Sequence, residues 1–310
     1  MITHRTLDDW NVKNPVVTIG VFDGVHLGHQ NIIASLREFA GKLDGESVVM
    51  TFWPHPREVL GDVGRTVKLL TTVEEKSSLL DHFGIDHLLI IPFNPSFASL
   101  SARDFIENYL VNKMGIRHLV MGHNHHFGNN REGSYETVLQ YSQKLGFTVN
   151  RIDAVMAEEQ EISSSLVRQV LESGNIGRTN MLLGYEYRLS GTVVGGTRTG
   201  RKIGFPTANI VPDSPLKAIP PDGVYAVRVK VDEVIYPGML NIGSRPTLNH
   251  ISENRSVEVH ILHFDRTIYH RNITISFVER IRDEMKFNGI DALKKQLTED
   301  RRMVLHLLEG

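Results

Sequence analysis

The chain contains no cysteine. Disulfides, thiolate nucleophiles, iron–sulfur clusters and cysteine–zinc sites are therefore excluded. Long hydrophobic runs are missing too, and stretches such as Leu88–Pro92 fall far short of a bilayer span. The first residues, with Thr3, His4, Arg5, Asp8 and Asp9, lack the apolar core of a signal peptide. Nor is there an excess of one charge. From Gly184 onward lie 18 basic and 15 acidic residues, out of 34 Lys+Arg and 36 Asp+Glu in the chain. Neither part has the basic surplus of a nucleic-acid binder. The expectation is a cytoplasmic protein with neither nucleic acid nor membrane as partner. Nothing in the sequence indicates an oligomeric state.

What is present is ample core material: 41% of the 310 residues are hydrophobic, enough for two domains of ordinary size. Up to Ile152, short apolar runs alternate with segments of helical spacing. The runs are Val16–Val21, Ser47–Phe52, Leu88–Ile91, Leu119–Met121 and Phe147–Ile152. The helical segments are Asn31–Leu43, Glu74–Phe83, Ser101–Met114 and Glu136–Leu145. That alternation indicates βαβ units and a parallel sheet, with strands apolar on both faces because helices cover both sides. Ser163–Leu183 reads as one or two helices, with Ser163 or Ser164 as a cap. After Gly184 the pattern becomes short β segments at Tyr187–Val194, Val224–Val231, Ile235–Ile242, Ser256–Ile261 and Ile273–Val278, closed by a helix over Ala292–Leu308. These segments predict a small antiparallel barrel. The expected domains are therefore 1–183, a Rossmann-like α/β sheet, and 184–310, a β-barrel with a C-terminal helix.

The first candidate site is Thr18-Ile-Gly-Val-Phe-Asp-Gly-Val-His-Leu-Gly-His29, where a buried strand runs through glycines and two histidines into a helix. Ligands of open parallel sheets bind beyond the strand C-termini, and a helix N-terminus offers free N–H groups to phosphate. Gly20 and Gly24 would let the backbone approach closely. His26 and His29 can donate to phosphate oxygens and stabilise charge developing on a phosphorus under attack. The pair also reads as ordinary turn histidines, or as two zinc ligands for which the motif supplies no companions.

The second candidate is the glycine-rich, basic stretch Gly191–Asn209, containing Gly-Phe-Pro-Thr-Ala-Asn209. Such a loop can wrap phosphates, and Thr207 and Asn209 offer neutral oxygens to a hard cation such as Mg²⁺. Glu258, in Val257-Glu-Val-His260, could accept a proton as general base, and it equally fits the exposed side of a strand. Pro54 and Pro56 stiffen a loop and should leave His55 displayed.

The first motif resembles the HxGH nucleotidylyltransferases, and within them the FMN adenylyltransferase module of bacterial bifunctional riboflavin kinase/FAD synthetases. The resemblance implies His26 and His29 as catalytic residues, with Gly20, Phe22, Asp23, Gly24 and Gly28 around ATP. Thr51-Phe-Trp-Pro-His-Pro56 resembles the family's TF-x-PHP loop, implying Phe52, Pro54, His55 and Pro56 on the flavin side. Gly122-His-Asn-His-His-Phe-Gly128, with Arg131 and Gly133, resembles GxDxxFGxxRxG. It implies Gly122, Asn124, Phe127, Gly128 and Arg131 at ATP, with Asn124 standing where the family often has Asp. Ile162-Ser-Ser-Ser-Leu-Val-Arg168 resembles ISST-x-x-R, which would close Ser163, Ser164, Ser165 and Arg168 over ATP, with Ser165 in place of Thr.

The second half resembles the riboflavin kinase module through GFPTAN, through Asn241-Ile-Gly-Ser-Arg-Pro-Thr247 and through the strand at Val257–His260 that carries its catalytic acid. The implied ATP residues are Gly195, Gly196, Gly200, Arg201, Lys202, Gly204, Pro206, Thr207 and Asn209, with Thr207 and Asn209 on Mg²⁺ and Glu258 as base. Arg282-Asp-Glu-Met-Lys-Phe287, with Leu293, Gln296 and Asp300, resembles the flavin-side segment, implying Arg282, Glu284 and Phe287. The implied chemistry is ATP-dependent phosphorylation of riboflavin to FMN, then adenylylation of FMN to FAD. Two rivals remain: an HxGH adenylyltransferase for another phosphorylated small molecule, and a flavin-binding regulator.

Overall fold

The computed structural model describes residues 1–61, 67–196, 199–244 and 255–309. The chain divides into two compact units, Met1–Ser164 and Ser165–Gly310.

The first unit contains β1 (Ile2–His4), β2 (Val16–Ile19), α1 (Leu27–Lys42), β3 (Ser47–Trp53), α2 (Pro56–Leu60), α3 (Val73–His82) and β4 (His87–Pro92). There follow α4 (Pro95–Ala98), α5 (Ala102–Asp104), β5 (His118–Gly122), α6 (Tyr135–Leu145), β6 (Thr148–Ile152) and a hairpin of β7 (Met156–Ala157) and β8 (Gln160–Glu161). β1 to β6 form one parallel sheet in the order β1-β4-β3-β2-β5-β6. All four residues of β2 are buried, as expected of a strand covered on both faces, and Thr18 satisfies its hydroxyl on Val120 O at 2.9 Å. α1 buries Ile33, Leu36 and Ala40, a stripe of helical period laid on the sheet. α3 starts with a capping box in which Thr72 accepts from the Glu75 amide and Glu75 accepts from the Thr72 amide. The expected helix over Ser101–Met114 is α5 followed by a π-helix, Phe105–Lys113. This wider coil stacks the rings of Phe105 and Tyr109 at 5.7 Å.

α7 (Ser164–Glu172) leads into α8 (Ile176–Leu183), which Gly184 ends in the left-handed conformation at φ 75°. Glycine adopts that φ without steric cost, and it is the common end of a helix. The second unit continues with β9 (Arg188–Val194), α9 (Thr199–Lys202), β10 (Ala208–Pro212), β11 (Gly223–Val231), β12 (Val234–Ser244), β13 (Arg255–Ile261), β14 (Asn272–Arg282) and α10 (Ile290–Glu309). The strands close a barrel in the order β10-β13-β12-β11-β14-β9, antiparallel throughout. β13 alternates as strand geometry demands: Val257, Val259 and Ile261 are buried, while Glu258 and His260 are half-buried between them. Val304 of α10 packs with Phe205, Ala226, Met239 and Leu262.

The expected strands and helices occur, and four strands go beyond expectation: the three-residue β1, the two strands of the β7–β8 hairpin, and β10, which grows out of the GFPTAN segment. Among the described residues no helix is long and apolar enough to cross a membrane.

The C-terminal end of β14 is tied to α10 by Arg282. Its guanidinium donates to both carboxylate oxygens of Asp300 (Nε–Oδ1 3.0 Å, Nη2–Oδ2 2.7 Å), and Gln296 adds a bond of 2.9 Å to Oδ1. Asp300 is 1% exposed. Removing one partner of a buried pair strands the other, so Asp300→Ala should destabilise the second unit by about 3 kcal/mol, read by denaturant unfolding.

Candidate active sites

The first site lies at the C-terminal end of β2. α1 begins at Leu27 with His26 as its N-cap; the His26 side chain does not cap the helix, and the first turn has no acidic residue. The positive end of the helix is thus left uncompensated for an anion. His26 is buried, and its ring stacks on that of His29 at 3.7 Å and 21°. Phe22, at φ 51°, also packs against the His29 ring, at 4.7 Å. His29 keeps some exposed surface, yet its Nδ1 is fully buried with no hydrogen-bond partner among the described residues. Desolvation first, then His26 and Lys76, hold its pKa well below the usual histidine value of 6.5. The imidazole is therefore neutral near pH 7 and has one N–H to donate.

The loop between β2 and α1 is tied down from α3's side. Asp23, 3% exposed, accepts from the amides of Leu70 (3.1 Å) and Thr71 (3.0 Å) and from the Thr71 hydroxyl (3.2 Å). Gly24, at φ 81°, donates its amide to Thr71 Oγ1 at 3.1 Å. Gly20 bonds Met50 O at 3.0 Å, and a Cβ on Gly28 would meet the Ile162 carbonyl at 3.2 Å. Ser164 Oγ donates to Asp23 O at 2.9 Å, joining the serine segment to this loop. The helix starts at Ser164, so Ser163 precedes it. Ser165 and Arg168 belong to the second unit, and Arg168 shares a face of α7 with Ser164 four residues earlier.

The segment after β5 gathers at Glu161. Asn124 Nδ2 donates to Glu161 Oε2 at 3.1 Å, and His123 Nε2 lies 3.2 Å from the same oxygen. An aspartate at 124 would face that carboxylate, whereas Asn donates to it. Gly122 accepts from the His125 amide, and Gly128, at φ 75°, lies so close to the Ala102 backbone that a Cβ would sit 2.8 Å from its nitrogen. Arg131 ends a short 3-10 turn, Asn129–Arg131.

Phe52 and Phe127 meet in one aromatic cluster: Phe52–Phe97 5.7 Å, Phe97–Phe105 5.9 Å and Phe105–Phe127 5.1 Å. His55 corrects the expectation of a displayed side chain. It is 7% exposed and is the N-cap of α2, its Nδ1 accepting from the Arg57 amide at 3.0 Å. Pro54 precedes that cap and Pro56 is the first residue of the helix, a position that suits proline's missing N–H.

The second site is a row across three strands. Register places Asn209 of β10 and Asn241 of β12 directly opposite Glu258 of β13, and directly opposed residues share one face of the sheet. Thr207 donates its hydroxyl to Glu258 Oε2 at 3.2 Å, and Asn241 Nδ2 donates to Glu284 at 3.3 Å. Gly196 lies against Asn209, since a Cβ there would meet Nδ2 at 2.2 Å, and a Cβ on Gly200 would strike the Phe205 carbonyl at 2.2 Å. Gly204 turns the chain at φ 85° into Phe205-Pro206, and Pro206 O is 2.7 Å from His260 Nδ1. Arg201 and Lys202 end α9, and nothing comes within 4 Å of a Cβ on Gly195. A cavity of about 310 Å³ adjoins Thr207, walled by Val193, Val259, Phe264 and Tyr269, with Arg201 in its lining. Phe287 is half-buried, 5.8 Å from the Arg282 guanidinium. Residues 245–247 of the Asn241–Thr247 segment lie outside the described residues.

The family model for FAD synthetase matches residues 8–166, and that for riboflavin kinase matches residues 183–308. A bifunctional riboflavin kinase/FMN adenylyltransferase of Listeria monocytogenes is 38% identical over 95% of this chain and 93% of its own length. The chain belongs to this bifunctional family. A family member from Bacillus subtilis is 36% identical over 96% of this chain and 93% of its own. A solved structure described as a macrolide-efflux protein from Streptococcus pneumoniae is 31% identical, covers 98% of both chains and has a TM-score of 0.89. Both folds recur in it.

Sequence reasoning passed over Lys76. Its ammonium, 5% exposed, donates to Val21 O at 2.7 Å and to Thr51 Oγ1 at 3.3 Å, directly beneath the loop. The available signal was a lysine three and four residues before Leu79 and Leu80, on the buried face of α3.

Proposed function

We infer that the two chemistries divide between the sites described above, with residues 1–183 assigned to adenylyl transfer and 184–310 to phosphorylation. The chain is a riboflavin kinase and FMN adenylyltransferase: it phosphorylates riboflavin to FMN with ATP, then adenylylates FMN to FAD with release of pyrophosphate. The observation that carries the residue-level reading is the Thr207–Glu258 hydrogen bond with Asn209 opposite, beside a cavity of nucleoside size.

In the kinase step, Glu258 takes the proton of riboflavin's terminal ribityl hydroxyl. The freed oxygen attacks the γ-phosphorus of ATP, the bond to the β–γ bridging oxygen breaks, and ADP leaves. The apolar walls at Phe264 and Tyr269 suit adenine, and Gly195, Gly196, Arg201 and Lys202 suit the phosphates. Thr207 Oγ1 and Asn209 Oδ1 are hard neutral oxygens next to a carboxylate, a donor set that fits Mg²⁺ sharing its shell with phosphate and water. When bound there, the ion would neutralise phosphate charge. Glu284 and Phe287 remain flavin-side assignments. Arg282, committed to Asp300, would act there by holding β14 and α10 in place.

In the adenylyl step the nucleophile is the FMN phosphate, already ionised, so no base is needed. Its oxygen attacks the α-phosphorus, and pyrophosphate departs. The α1 N-terminus, His26 and His29 supply donors to the charge that develops. Asp23 acts by anchoring the loop. Phe52, Phe97 and Phe127, half-buried and packed on the core at Phe105, offer apolar rings beside which a flat tricyclic ring would sit, which favours FMN over another phosphorylated small molecule. A cytoplasmic location is part of the same reading.

Purified protein given riboflavin, ATP and Mg²⁺ should form FMN first and FAD later. Chelation of Mg²⁺ should stop both steps, as chromatography of the flavins would report. FMN that accumulates without FAD would refute the adenylyl assignment, and flavin binding without turnover would make the protein a regulator.

A further inference from the structure

α3 carries a lysine where its buried face would ordinarily be apolar. Lysine is almost never fully buried unless paired, and burying its charge is costly. Yet Lys76 is 5% exposed, and its hydrogen-bond partners are the neutral Val21 carbonyl and Thr51 hydroxyl. Thr51 Oγ1 also bonds Val21 O, at 3.1 Å. Two side chains from two elements thus converge on one carbonyl at the start of the loop between β2 and α1. The next residue is Phe22, held at φ 51° with its ring on His29.

We propose that Lys76 is a positioning residue for adenylyl transfer, which clamps the loop at Val21 and sets a positive charge under the start of the loop that leads to His29. The proposal rests on assigning the FMN-to-FAD step to this site. The clamp fixes the path along which Phe22 and Asp23 lead into the histidines. The charge favours the neutral form of His29 before substrate arrives, and it favours the anionic phosphates afterwards.

The titratable groups coupled to Lys76 are Asp23 on the loop and His29 on α1, with His26 stacked behind His29. β3 contributes only the uncharged Thr51. Burial outweighs the attraction of Asp23 and brings the Lys76 ammonium down to about 8. Below that pH the charge is present, and above it the charge is lost. The FAD-forming step should therefore fall off through an alkaline limb near pH 8, and the FMN-forming step should not show this limb.

The test uses the full chain, with riboflavin-to-FMN and FMN-to-FAD assayed separately against pH for wild type, Lys76→Met, Lys76→Arg and His29→Ala. Lys76→Met should lower kcat for FAD formation about 100-fold, as misplacement of reacting groups does, with riboflavin phosphorylation unchanged. Lys76→Arg keeps the charge at every accessible pH, so it should retain FAD formation within about tenfold and lose the alkaline limb. Near-wild-type FAD formation in Lys76→Met, or a persisting limb in Lys76→Arg, would overturn the proposal. Should Lys76→Met fail to fold in its first unit, the pH profile of Lys76→Arg decides. His29→Ala separates the two levels of the reading. If it still forms FAD, the site assignment falls and the proposal with it. If it does not and the Lys76 variants behave as wild type, only the role of Lys76 falls.

Discussion

In His29→Ala, FMN accumulates and FAD formation drops by about 10²–10³-fold, the usual cost of removing one preorganised donor from a site of developing charge. The ring is held by two others, His26 at 3.7 Å and Phe22 at 4.7 Å, so its N–H is oriented before substrate binds. Orientation in advance is what makes a hydrogen bond count in the transition state, because no reorganisation is left to do. The loss should appear in kcat, since the interaction strengthens only as charge moves onto the α-phosphate and pyrophosphate. Riboflavin phosphorylation in the same molecule is the internal control, because the kinase row of Thr207, Asn209 and Glu258 lies on other strands. Equal loss of both activities in a folded variant would remove the assignment of separate sites. Because His29 titrates well below 6.5, its protonation should not limit FAD formation in neutral buffer.

How much of the fold and sites is legible in the sequence depends on the range of the interaction. Local signals sufficed for the parallel sheet: Val16, Val17 and Ile19 leave no polar face on the strand because helices cover both sides, and the one polar residue, Thr18, donates its hydroxyl to Val120 O at 2.9 Å. The same holds for β13, where alternation alone sends Glu258 to the opposite face from Val257 and Val259. β10 escaped because Ala208–Pro212 offers one buried residue, Ile210, between a proline-led loop and a terminal proline. Its strand character comes from pairing with β9 and β13, which only register reveals. His55 was misread for a related reason. Two flanking prolines do suggest a rigid displayed loop, but Pro56 starts a helix, and the free amide of Arg57 draws the imidazole inward as a cap. Lys76 was hidden by its neighbours: Glu74-Glu75-Lys76 looks like a solvated charged turn until the capping box orients Glu75 back toward Thr72 and leaves Lys76 on the face of Leu79 and Leu80.

Glu258→Gln should abolish most FMN formation, by about 10²–10⁴-fold, while FMN supplied directly is still converted to FAD. Glutamine is the sharper choice than alanine. It fills the same volume and still offers an oxygen to the Thr207 hydroxyl, so the hydrogen bond of 3.2 Å can persist. What it cannot do is take the ribityl proton. KM for riboflavin should therefore stay near wild type while kcat collapses, whereas a carboxylate that merely helped to shape the barrel surface would alter binding or stability and leave kcat alone. The flanking residues make the distinction clean. Asn209 and Asn241 sit directly opposite residue 258 on the two neighbouring strands, and both are neutral, so neither can take over the proton in its place. A Glu258→Gln variant that phosphorylates riboflavin at the wild-type rate would leave proton removal to solvent or to ATP itself, and Glu258 would then serve only to orient Thr207.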